Sequence, residues 1–225
     1  MSEVCAPTPM LCQRFEMPDA NVTYYPACFT SAESDHYLQT LMTFIAWRQE
    51  TIQLFGKAIQ QPRLTAWYGD EGAIYTYSNL TNHPLPWTPE LLAIKQRCEK
   101  ISLATFNSVL LNYYRNGQDS MGWHQDNEPE LGAHPVIASV NLGATRRFQL
   151  RHKKRKDLAT INIDLEHGSL LLMQGTTQEF WKHQVPKTTQ AVGARINLTF
   201  RLIRQSRNET TESTENTEKK TDRMD

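Results

Sequence analysis

The chain has 225 residues, of which 39% are hydrophobic, and its 24 basic side chains balance 24 acidic ones. That length is ample for one large domain with its own core. Zero net charge does not by itself announce a nucleic-acid partner, and with no run of about 18 apolar residues no membrane span is expected.

The opening MSEVCAPTPM lacks the charged and apolar regions of a signal peptide. The expected location is therefore the cytosol, or the nucleus of a eukaryotic cell. Cys5, Cys12, Cys28 and Cys98 form no CxxC pair and read as free thiols in a reducing compartment. Residues 1–20 are irregular. NVTYYP (21–26) predicts a short strand stopped by Pro26, and Thr30 with Glu33 forms a capping-box pattern. Leu38, Leu41, Met42 and Ile45 then recur at helical spacing. TIQLFGKAI (51–59) predicts a hairpin with Gly56 at its turn, and WYGDEGAIYTYS (67–78) a tyrosine-rich strand flanked by glycines. Thr88 as N-cap and Pro89 at the first helical position start a second helix, with Leu91, Leu92, Ile94, Cys98 and Ile101 on its apolar face.

Beyond residue 105 the texture becomes that of strands. SVLLNYY, VIASVNL, RRFQLRH, TINIDL, SLLLM, FWKHQV and ARINLTFRLI follow one another, many of them separated by turn signals. The pattern predicts an α+β domain, helices from the first half packed on a β-sandwich from the second. The tail from residue 205 has six acids, four bases and no aromatic residue, and reads as disordered.

Within GWHQDNEPE (122–130), His124, Asp126 and Glu128 would share one face of a strand. An imidazole beside a carboxylate is two thirds of a metal site, although such a pair can also be purely structural. His183, alternating with large residues in FWKHQV, would supply the third ligand. Two histidines and one carboxylate leave three coordination positions open, as in non-haem Fe(II) oxygenases. RINLTFR (195–201) alternates Arg195, Asn197, Thr199 and Arg201 with Ile196, Leu198 and Phe200. Two arginines on one face of a buried strand are costly unless anions meet them. Arginine grips a carboxylate with two prongs, so a dicarboxylic keto acid would satisfy both, as would structural salt bridges.

With HxD, a distal histidine and RxNxTxR in that order, the chain resembles the AlkB family of Fe(II)- and 2-oxoglutarate-dependent dioxygenases from about residue 50 to 203. LFGK, YGDEG, YTYSNLT, NYYRNG, IASVNLGA, LRHK, HGSLLLM and RINLTFR make it most similar to the duplex-DNA repair branch, the AlkB homologue 2 type. The resemblance implies a double-stranded β-helix (jelly-roll) core over 107–204. Before it would come an irregular segment (1–20) and an extension with helices and a nucleotide-recognition lid (21–106), and after it the tail (205–225). It also implies that His124, Asp126 and His183 bind the catalytic Fe(II). Arg195 would pair with the distal carboxylate of 2-oxoglutarate, and Asn112, Tyr114, Asn197, Thr199 and Arg201 would complete that pocket. O₂ and 2-oxoglutarate would be consumed to demethylate an N-alkylated base such as 1-methyladenine or 3-methylcytosine, releasing succinate, CO₂ and formaldehyde.

On the substrate side, Tyr75, Tyr77 and Glu128 match base-pocket positions, Phe55 the wedge that replaces a flipped base, and Arg63 a residue near that base. Arg151, in the basic run RHKKRK (151–156) preceded by Arg146 and Arg147, is expected to meet DNA phosphates. Three features depart from the branch: Asn127 beside Asp126, a short loop after RHK, and a single lysine in PKTTQ (186–190). They bear on whether duplex DNA, single strands or RNA is preferred. The alternatives are a related dioxygenase acting on a protein or small metabolite, which would not depend on Phe55 or the basic run, and a DNA-binding module without catalysis. A monomer is expected.

Overall fold

The computed structural model describes residues 11–54, 57–77 and 80–204. Strands β1 (Gln13–Phe15) and β2 (Asn21–Tyr25) pair antiparallel at the start. Helix α1 (Ser31–Phe44) begins with the expected capping box: Thr30 Oγ1 accepts from the Glu33 N–H, and the Glu33 carboxylate accepts from the Thr30 N–H. Two small hairpins follow, β3 (Thr51–Leu54) with β4 (Lys57–Gln60), and β6 (Tyr75–Tyr77) with β7 (Leu80–Asn82). Between them lies β5 (Leu64–Gly69). Helix α2 (Pro89–Ser102) is capped by Thr88, whose hydroxyl accepts from the Leu91 N–H.

The rest is mostly β: β8 (Ser108–Tyr114), β9 (Met121–His124), a 3₁₀ turn (Pro129–Leu131), β10 (Ile137–Gly143), β11 (Arg146–His152), β12 (Ile161–Leu165) and β13 (Ser169–Gln174). The short helix α3 (Thr177–Phe180) then leads into β14 (Trp181–Val185), and β15 (Arg195–Arg201) closes the core. A seven-stranded sheet has the order β1-β2-β13-β10-β15-β8-β5, and a four-stranded sheet the order β12-β11-β14-β9. Every pairing between the described strands is antiparallel.

Period-two alternation sorts the side chains. From the large sheet Val109, Leu111, Val140, Ile196, Leu198 and Phe200 pack with Leu41 of α1 and Leu91, Ile94 and Cys98 of α2. Tyr24, Ile137, Leu171 and Met173, from the same sheet, form a second core with Phe148, Leu150, Trp181 and Val185 of the small sheet. Each such large apolar side chain contributes about 1.5–3 kcal/mol by leaving water, so both faces of the large sheet are held.

The large sheet runs across the expected boundary at residue 106. β2 pairs with β13 and β5 with β8, so strands from before residue 106 extend the large sheet at both sides. Residues 13–15 are likewise a strand, not an irregular segment. The edges of β13 and β8 carry main-chain groups that need partners, and the N-terminal segments supply them. Gly143 matters locally. Its φ is +90°, and a side chain there would collide with the Ala194 carbonyl, displacing the start of β15. Among the described residues no helix is long and apolar enough to cross a membrane.

Candidate active site

β15 lies between β10 and β8, and all seven of its residues are buried. Ile196, Leu198 and Phe200 serve the helix-covered core, while Arg195, Asn197, Thr199 and Arg201 line a cavity between the two sheets. Asn112 and Tyr114 of β8 line the same cavity, being the register partners of Asn197 and Arg195. His124 of β9 and His183 of β14 are also register partners, and their rings lie 4.1 Å apart. β9 ends at His124, so Asp126 is not on the strand face that its spacing suggests. It sits in the following loop, where its N–H donates to Gln178 Oε1 of α3 at 3.0 Å.

One ligating atom from each of His124, Asp126 and His183 lies within 4.8 Å of the other two. His124 Nδ1 is 2.9 Å from the Gly122 carbonyl, so it carries the proton, and the lone pair of Nε2 is turned to Asp126 Oδ1 at 3.8 Å. Arg201 Nη2 donates to Asp126 Oδ2 at 3.0 Å, holding one carboxylate oxygen while the other faces the imidazole. Burial pushes the His183 imidazole down to about 3, helped by neighbouring His124, and burial also lowers His124. Burial acts against the Asp126 carboxylate too, but Arg201 and the two histidines outweigh it and bring it to about 2. At neutral pH the trio is thus two neutral imidazoles and one carboxylate, the protonation state a metal requires.

The opposite end of the cavity is equally telling. Arg195 is 1% exposed and stacks over the Tyr114 ring, 4.9 Å from its centroid. Its Nη2 donates to Asn141 Oδ1, yet Nε and Nη1 are buried with no acceptor. Two enclosed guanidinium donors facing a cavity fit a carboxylate brought by a ligand. Asn197 is tied to Ser139 Oγ (2.8 Å) and the Val140 carbonyl (3.1 Å), and Thr199 Oγ1 donates to Asn197 Oδ1 (3.1 Å), so this wall is rigid. The donor set therefore fits a divalent ion at one end and an acid-bearing ligand at the other.

Other expected residues fare differently. Arg63 lines the cavity, but it is buried and donates to Asn112 Oδ1 (2.7 Å), with a longer contact to the Ser120 carbonyl (3.4 Å). Glu128 sits at the N-cap position of the 3₁₀ turn without a side-chain capping bond, and it is not among the residues that line the cavity. Tyr75 and Tyr77 lie in β6, of which only the backbone is described, and Phe55 lies outside the described residues. Arg151 is exposed, its guanidinium 4.2 Å from the centroid of Trp123, which neighbours His124. The basic run is less free than its charge suggests. Arg146 is buried and donates to three carbonyls, Arg147 pairs with Asp164, and Arg155 with Asp157. Its strand geometry brings acids and carbonyls alongside, which a linear sequence does not display. Sequence reasoning missed Gln178, in a helix too short for periodicity, and Glu50, a cavity-lining carboxylate with no motif around it.

A jelly roll with two histidines, a carboxylate and an anion-seeking arginine defines the class of the Fe(II)/2-oxoglutarate oxygenases. The family model described as the 2OG-Fe(II) oxygenase superfamily matches residues 21–201. The chain is similar to the human alpha-ketoglutarate-dependent dioxygenase alkB homolog 3, 43% identical over 192 residues, which are 82% of this chain and 66% of that protein. It is similar to the bovine DNA oxidative demethylase ALKBH2, 39% identical over 196 residues, 83% of this chain and 70% of that one. The solved structure of OsALKBH1 shares the fold, with a TM-score of 0.58 at 15% identity, over 85% of this chain and all of that one. The chain belongs to the AlkB family of the 2OG-Fe(II) oxygenase superfamily. It spans just under two thirds, 66%, of the length of the human alkB homolog 3.

Proposed function

We propose that this protein is an oxidative demethylase of N-alkylated bases in DNA, using Fe(II), O₂ and 2-oxoglutarate. The observation that carries the chemistry is the pairing, across one cavity, of the neutral-histidine and carboxylate trio with the unsatisfied donors of Arg195. The substrate class rests on similarity to proteins named DNA oxidative demethylase.

Bound iron with 2-oxoglutarate supplies an O₂-dependent oxidation of an N-methyl carbon, which leaves as formaldehyde. His124, Asp126 and His183 would hold the metal. Arg201 fixes Asp126 and keeps it ionised, and Phe148, 5.2 Å from His183 and stacked on it, holds that ring and sheds water. Arg195 would take the distal carboxylate, with Asn112, Tyr114, Asn197 and Thr199 shaping the walls. Because these side chains are locked by mutual hydrogen bonds, they would orient the reactants without reorganising. The hairpins β3–β4 and β6–β7 would be the lid, with Phe55 as wedge and Tyr75 and Tyr77 at the base. Arg151 on Trp123 would meet the phosphate chain, and Glu128 would stand near the base. The segments 21–106 and 107–204 would act as lid-bearing extension and catalytic core. The cytosol, or the nucleus in a eukaryote, is the compartment this chemistry suits, and a monomer suffices for it.

Oligonucleotides bearing 1-methyladenine or 3-methylcytosine, as single strands, duplexes and RNA, test the proposal when incubated with Fe(II), ascorbate and 2-oxoglutarate. Formaldehyde release with restoration of the base is expected on at least one DNA substrate. No repair on any of them, while 2-oxoglutarate still binds, would leave the DNA reading untenable.

A further inference from the structure

Among the described residues, the cavity wall carries one carboxylate besides Asp126, that of Glu50. It is half-buried and forms no ion pair among the described residues. Its backbone is well fixed. The Gln61 N–H donates to the Glu50 carbonyl at 2.8 Å, and Arg48 and Thr65 exchange both main-chain hydrogen bonds. Glu50, Thr65, Trp67 and Leu110 line both the central cavity and a neighbouring one of about 330 Å³, so Glu50 stands where the two meet. The Trp67 indole N–H donates to the Ala73 carbonyl at 3.0 Å, which anchors the ring beside it.

We propose that Glu50 selects a cationic N-alkylated base over a neutral base of the same shape; this rests on the demethylase reading. Three guanidinium groups share the cavity and would repel a cation. Arg201, however, is bonded to Asp126, Arg195 faces the co-substrate end, and Arg63 is turned to Asn112 and the Ser120 carbonyl. Glu50 is the acid that no described cation claims. Cytosine methylated at N3 or adenine methylated at N1 carries a positive charge on the ring, and enclosing that charge is costly unless an anion or an aromatic face meets it. The carboxylate of Glu50 lies on the cavity wall. A neutral ring gains nothing from the carboxylate and must strip water from it. Glu128, a base-pocket residue by resemblance, is not among the residues that line the cavity.

The pair that isolates charge from shape is 3-methylcytosine against 3-methylthymine, in the same oligonucleotide sequence. The full chain, wild type and Glu50→Gln, is assayed for kcat/KM on both. Binding of both oligonucleotides is measured in parallel by anisotropy on protein loaded with Co(II) and 2-oxoglutarate. The wild type is expected to favour 3-methylcytosine, and Glu50→Gln to lower the ratio of 3-methylcytosine to 3-methylthymine about tenfold in both measurements. A ratio unchanged in Glu50→Gln, or a wild type that binds both equally, overturns the role of Glu50. Should turnover be absent on both lesions, the demethylase reading fails by itself, and the binding ratio still decides for or against Glu50.

Discussion

Arg195 keeps a full charge in a site where two of its donors lack an acceptor, at 1% exposure. Burial depresses its basicity, the Tyr114 ring beside it works the other way, and the arrangement makes sense only if an anion arrives. Arg195→Met is therefore expected to weaken 2-oxoglutarate binding by roughly thirtyfold or more, as for loss of a buried charge partner. The apo protein should melt no lower, because an unpaired buried charge has been removed. Calorimetric titration and a thermal melt check the two halves. Asp119 illustrates the opposite economy. Its carboxylate accepts from the Arg115 N–H and guanidinium at 2.7–2.9 Å, and although burial opposes ionisation, those bonds hold its pKa below the usual value. The unfolded chain binds the proton more readily, so this stabilisation is complete above about pH 4 and fades as pH falls through the native pKa. Asp119→Asn should cost about 1 kcal/mol at pH 7, allowing for the exposure of Arg115. Denaturant midpoints of mutant and wild type should converge in acid; a constant gap would contradict the assignment.

At the level of elements, α3 links the segments that carry Asp126 and His183. It runs directly into β14, which carries His183, and its Gln178, 2% exposed, accepts the Asp126 N–H. Since β9 stops at His124, no ladder bond fixes Asp126, and this side chain does so instead. Gln178→Met, which fills the volume but removes the acceptor, is expected to weaken Co(II) affinity at least tenfold, as for other outer partners of metal ligands. Gln178→Glu, which keeps an acceptor, should restore most of it. Equal affinity in Gln178→Met, read from the Co(II) absorption band, would assign α3 to packing alone. The long strands were plain in the sequence: RRFQLRH and RINLTFR coincide with β11 and β15. β5 and α3 were not. LTAWYG runs into a glycine-marked turn, and four helical residues show no period.

For the molecule as a whole, the small sheet brings both histidines, and the large sheet brings both arginines. The cavity therefore exists only while the sheets face each other, and ligands that bridge them should stabilise the whole fold. With Co(II) and 2-oxoglutarate at a hundred times their dissociation constants, linkage contributes about 2.7 kcal/mol per ligand. That should raise the melting temperature by roughly 5–10 °C per ligand for a domain of this size. A chelator should reverse the rise, and His183→Ala should abolish the metal-dependent part. A melting temperature indifferent to both ligands would mean that the cavity does not hold them.

The composition of β15, the HxD pair and the late histidine were readable one letter at a time, because period-two alternation and metal-ligand chemistry are local properties. Which histidine meets which depended on a strand register joining residues 59 positions apart, and that the partner of Arg201 is Asp126 depended on the packing of a loop against a strand 75 positions further on. The same holds for the spent charges of the basic run and for Glu50. A carboxylate or guanidinium has no fixed partner until folding sets its neighbours, and only the tertiary structure decides whether its charge is neutralised or left for a ligand.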